Sequence, residues 1–97
     1  MNEQEWIEKL TQEGFTNVLI FPLGTGFDMG EHTHGEHTVH VIMSGELIIS
    51  NGDGEKTFGP GERVEFPAGT KHYACGGQGA LTMIVGTKSD AAKAERS

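Results

Sequence analysis

From Thr16 onward the chain is a succession of short β-prone runs cut by glycine and proline, a texture that excludes long helices and demands strand pairing. The runs fall at Asn17–Phe21, Phe27–His34, Thr38–Met43, Glu46–Ser50, Glu55–Phe58, Arg63–Phe66, His72–Cys75 and Leu81–Gly86. Asn51-Gly52-Asp53-Gly54 is a strong hairpin signal, because tight two-residue turns need residues that accept positive φ. Gly59-Pro60-Gly61 and Pro67-Ala68-Gly69 read as turns that set proline where no ladder N–H is required. About eight short strands with frequent turns point to an all-β fold, a small barrel or jelly roll.

The segment before Thr16 has a different period. Asn2 suits an N-cap with Glu5 at the capping-box position, and Trp6, Ile7 and Leu10 form one apolar stripe. Gly14 suits the left-handed position just past the helix end, which brings Phe15 against Leu10 in a Schellman arrangement. The expected organisation is therefore a helix in residues 1–15 packed on a barrel of residues 16–87. Residues 88–97 form a polar, alanine-rich tail, read as a frayed helix or disordered.

Ninety-seven residues allow one domain with one modest core. Seven Lys+Arg against fourteen Asp+Glu give a net charge of −7, which argues against nucleic acid or an anionic membrane as partner. A single cysteine makes no internal disulfide, so a reducing cytoplasm is the expected compartment. No apolar run approaches the roughly 18 residues that span a bilayer, and the acidic start does not read as a signal peptide.

Four of the five histidines fall within residues 32–40, at His32, His34, His37 and His40, and the fifth is His72. Neutral imidazole is the commonest protein ligand for transition metals, and histidines two apart on a strand share a face. If Gly35-Glu36-His37 is a hairpin loop, His34 pairs with Thr38 and His32 with His40, with opposed Cβ atoms about 4.5–5.5 Å apart. His32, His34 and His40 then converge and His37 sits at the loop tip. In that register Val39, Val41 and Met43 face the other way and need cover from the N-terminal helix or a partner chain. A lone histidine is more often a surface or hydrogen-bonded group than a ligand; the spacing of the group is what favours a metal.

The spacings also carry a family resemblance. Gly26-x5-His32-x-His34-x3-Thr38-x6-Gly45 resembles the first cupin motif, with Thr38 where that family usually has Glu. Gly61-x5-Pro67-x-Gly69-x2-His72-x3-Gly76 resembles the second, with Gly76 in place of the usual Asn. The chain thus looks like a small single-domain cupin, which implies a jelly-roll β-barrel with a short N-terminal helix. The resemblance implies His32, His34 and His72 as metal ligands. The departure at Thr38 removes the carboxylate of a 2-His-1-carboxylate or 3-His-1-Glu sphere. His40, one strand step further in, is the first choice for a fourth ligand or an acid/base group, ahead of Glu36 and His37.

An all-imidazole site suits a divalent transition metal: Zn, Fe, Mn, Ni or Cu. Three imidazoles leave positions open to ligand, whereas a fourth drives the sphere toward closure and favours binding over turnover. The expected function is a metal-binding small cupin with a mononuclear His-rich site that takes a small polar ligand. The alternatives are a metal-dependent enzyme, such as a dioxygenase, isomerase or decarboxylase, and a metal-free barrel acting through its surface. Small cupins often dimerise, so a homodimer is expected. Elsewhere, Cys75 should point away from the cavity and Tyr73 outward. Met29, Met43 and Met83 read as core fillers, and Phe21, Phe27, Phe58 and Phe66 as core or dimer-contact aromatics. Glu62 and Arg63 read as solvated, and Gly45, Gly61 and Gly69 as turn devices.

Overall fold

The N-terminal helix is bounded as its residues require. In the computed structural model, which describes residues 1–33, 35–51 and 53–88 and the backbone alone of His32, α1 spans Glu3–Gln12. The Asn2 side chain accepts from the Glu5 N–H at 2.8 Å, and the Glu5 carboxylate accepts from the Asn2 N–H at 2.9 Å. The helix ends on Gly14 at φ +101°, with Phe15 N–H donating to the Leu10 carbonyl and Gly14 N–H to that of Thr11. Those two bonds are the Schellman pair expected from the sequence.

Eight strands follow: β1 (Thr16–Gly24), β2 (Asp28–Thr33), β3 (His37–Ser44), β4 (Leu47–Asn51), β5 (Gly54–Phe58), β6 (Arg63–Phe66), β7 (Lys71–Gly76) and β8 (Leu81–Lys88). They form two four-stranded antiparallel sheets, ordered β1-β8-β3-β6 and β2-β7-β4-β5. This is the expected jelly roll. Gly45 shows how tightly one turn is drawn: at φ +72°, a Cβ there would lie 2.6 Å from the Ala80 carbonyl oxygen. The strand β8 runs to Lys88, and the rest of the tail expected at 88–97 lies outside the described residues.

One connection differs from expectation. β2 does not form a hairpin with β3: it pairs with β7, while β3 pairs with β6 and β8 in the other sheet. Residues 35–36 cross between sheets rather than turning back. The physical reason lies in burial. β3 is buried on both faces from Thr38 to Ile42, so it belongs in the middle of a sheet, whereas the polar β2 serves as an edge.

Two apolar clusters result from that double burial. Between the sheets lie Ile42, Leu47, Ile49, Phe58, Phe66, Ala74, Leu81 and Met83, drawn from strands of both. On the outer face, Val39, Val41 and Ile84 pack with Trp6, Leu10 and Phe15, so the N-terminal helix supplies the cover that the outward valines need. Among the described residues, no helix is long and apolar enough to cross a membrane.

Candidate functional site

Alternation along β3 sends Val39 and Val41 to the helix and leaves His40 on the opposite, inter-sheet face. His40 is 9% exposed, and His72, the second residue of β7, is 2% exposed. The two imidazoles come from opposite sheets and line one cavity of about 180 Å³, with Nδ1 of both rings buried. They are the polar side chains among its described lining residues. Leu47, Ile49, Ala74 and Met83 complete the buried wall, and Phe21 and Met29 form an exposed apolar rim.

Phe66 sets the histidine rings. It ends β6 in one sheet, and the Pro67–Thr70 turn, closed by a Thr70 N–H to Pro67 carbonyl bond of 3.2 Å, carries the chain into β7 of the other. Across that corner the Phe66 ring stacks on His72 with centroids 4.0 Å apart and 15° between planes. It meets His40 edge-on at 5.7 Å and 72°. Two aromatic contacts thus hold two imidazoles at the same cavity wall.

The remaining expected site residues divide as follows. Position 32 lies directly across the β2–β7 ladder from His72, not across from His40 as the hairpin reading required. The His32 side chain and all of His34 lie outside the described residues. Among the described residues, no three His, Cys, Asp or Glu side chains gather into a metal-holding group. Thr38 is buried, and its hydroxyl donates to the Glu36 carbonyl at 3.0 Å.

His37 is not at a loop tip. It opens β3, where its Nε2 lies 2.8 Å from the Glu65 carboxylate and its ring is 5.9 Å from that of Phe15. It belongs to the helix side of the sheet. Arg63 joins the same network and is not merely solvated: its guanidinium donates to both Glu13 oxygens, at 3.0 and 2.8 Å, and to Glu65 at 2.6 Å. The Arg63 hydrogen bond draws the Glu13 carboxyl down to about 2 against partial burial, with Lys9 assisting. Burial opposes ionisation of Glu65, but hydrogen bonds from His37 and Arg63 outweigh it and leave that carboxyl below its ordinary value. Arg63 itself is held above its ordinary value, chiefly by Glu13.

Sequence reasoning missed the cavity's apolar character and the part played by Phe66. Leu47 and Ile49, one strand period apart, were a legible sign of an inward apolar face. Met29, expected as a core filler, is 53% exposed at the rim, and Phe21 is 40% exposed beside it, whereas Met83 is buried as expected. Tyr73 points outward as expected. A second, more open groove of about 390 Å³ beside the β4–β5 hairpin shares Ile49 with the cavity but is edged by Asp53, Glu55 and Lys56.

A family profile described as a cupin domain matches residues 19–86. No curated protein matches the chain. Among solved structures, a cupin superfamily protein from Desulfitobacterium hafniense is similar at 23% identity and a TM-score of 0.61, over 77% of this chain and 80% of its own. A cupin-2 domain containing protein from Shewanella frigidimarina shares 24% identity at a TM-score of 0.58, over 71% of this chain and 67% of its own. A Neisseria meningitidis protein shares 19% identity at 0.56, over 91% and 98% respectively. At such identities the likeness is one of fold.

Proposed function

The chain belongs to the cupin domain family, and from that membership we propose that it is a small metal-binding protein whose mononuclear site draws on the imidazoles of His32, His34, His72 and His40. One observation carries the reading: two deeply buried imidazoles from opposite sheets line the same cavity, whose other described lining residues are apolar. Histidines kept in such a wall fit a ligand role better than a packing role, because apolar residues of similar size would fill the space without burying polar nitrogens. The ladder supports extending the set to His32, since position 32 opposes His72.

The donor chemistry also fits. Neutral imidazoles match a divalent transition ion, and the buried Thr38, where the family's first motif usually has Glu, brings no negative charge. Bound there, the ion supplies a Lewis-acidic centre for one anionic or hydroxyl donor of a small ligand. The chain's own contribution is to keep the rings oriented through Phe66 and to exclude water with the surrounding aliphatic wall. No Asp or Glu is among the described lining residues, which favours a binding protein over an oxygenase, isomerase or decarboxylase.

The test is metal analysis of the untagged full chain, followed by Zn(II) or Co(II) titration of the chelator-stripped protein. One ion per chain is expected, and uptake should fall with His72→Ala, His32→Ala or His34→Ala. Absence of uptake by the stripped chain overturns the reading; unchanged affinity in His40→Ala removes the fourth ligand. We also read the protein as a homodimer, because Leu19 and Ile20 are exposed on the edge strand β1. Light scattering that reports a monomer removes that assignment.

A further inference from the structure

The cavity's wall and size bear on what it takes. Its described lining is apolar apart from His40 and His72, with Leu47, Ile49, Ala74 and Met83 in the buried part. The described aliphatic wall offers no partner to a polar-bodied ligand, and each hydroxyl or amide brought in unpaired weakens binding. An apolar body gains what a polar one loses. At about 180 Å³ the space is also small. An apolar cavity of about 150 Å³ holds one benzene molecule, so this one has room for a single ring and a compact head group.

The rim points the same way. Phe21 and Met29 stand 40% and 53% exposed at the cavity edge, on β1 and β2. Exposed apolar side chains that continue into a cavity mark a route for an apolar ligand, and the unbranched methionine adapts to its shape. Among the described lining residues, His40 and His72 are where a polar end can be met.

We infer that the cavity takes a ring-sized, largely apolar molecule with one acidic or hydroxyl end, a monoaromatic acid or phenol, rather than a polar-bodied metabolite. The head-group half of this inference rests on the proposed metal site; the apolar-body half rests on the cavity alone.

Calorimetry and methyl NMR on the full chain, both Zn(II)-loaded and chelator-stripped, test it with two acids of similar size, benzoate and succinate. Benzoate should bind the loaded chain at least about tenfold more tightly than succinate and shift the methyl signals of Ala74 and Met83. Ala74→Leu, which narrows the cavity, should weaken benzoate by about tenfold or more in samples matched for Zn(II) content. Val85→Leu, a milder filling of the same wall, serves if Ala74→Leu does not fold. Succinate binding as tightly as benzoate, or benzoate leaving both methyl groups unmoved, overturns the inference. Should the stripped chain take up no Zn(II), the metal reading fails on its own. Benzoate shifting those methyl signals in the metal-free chain then sustains the apolar-body half, and unmoved signals overturn it.

Discussion

The two faces of the sheet β1-β8-β3-β6 are built from the same strands and differ in what they leave unfilled. On the helix side, Val39, Val41 and Ile84 meet Trp6, Leu10 and Phe15, with all six residues buried. On the inter-sheet side, the neighbouring positions of β3 and β8 present His40, Met83 and Val85 to a void of about 180 Å³. One face is packed to hold the chain together. The other is left open, with two polar rings among its described lining residues. The contrast teaches that stability and binding are separated in this small domain by the period-2 alternation of two strands.

The largest effect expected is on the packed face. Leu10→Ala should destabilise the protein by about 2–5 kcal/mol in urea unfolding, since Leu10 is fully buried between helix and sheet. A much smaller loss would mean that the helix is not part of the cooperative unit. The sharpest comparison is between adjacent residues of β8. Ile84→Ala should fall in the upper part of the range of about 2–5 kcal/mol and Met83→Ala in the lower, because atoms facing a void already lack partners on one side. Equal losses would break the contrast between the faces.

His72→Ala should separate the two properties. In metal-free protein it removes the ring stacked on Phe66 and should lower stability by only about 0.5–1.5 kcal/mol, while the proposed metal uptake is lost. A loss as large as that of Leu10→Ala would make His72 a structural residue first.

The smallest effect concerns the ionic tie between helix and sheet. Glu13, drawn to about 2 by Arg63 from an ordinary value of 4.5, contributes stability that is present above pH 4.5 and fades as the pH falls toward 2. Glu65, also held below its ordinary value, acts in the same sense. Arg63→Gln should therefore flatten the acid arm of the stability–pH curve and lower stability near neutrality by up to about 1 kcal/mol. An unchanged acid arm would show that the tie does not couple helix to barrel.

Much of this arrangement was legible in the residues. The capping box at Asn2 and Glu5 and the glycine stop at Gly14 are local interactions, and both occur as the sequence implies. The strands fall close to the runs between glycines and prolines, and Arg63–Phe66 coincides with β6. The valines' need for cover was also legible, and the helix meets it. What failed was the partner of β2, because a short polar strand followed by glycine is equally compatible with turning back and with crossing to another sheet. The Glu13–Arg63 tie joins residues fifty positions apart and leaves no periodic trace. The Phe66 contact across the Pro67–Thr70 corner was hidden for a related reason: it depends on how two sheets meet.

The chain's own letters therefore determined the elements and the histidine set, since propensity, capping and alternation act within a few residues of one another. Tertiary structure decided that His40 and His72 share a cavity, that its other described lining residues are apolar, and that His37 stands on the opposite face. Those properties depend on strand order and on the packing of one sheet over the other, which are set by burial of the whole chain rather than by any short segment of it.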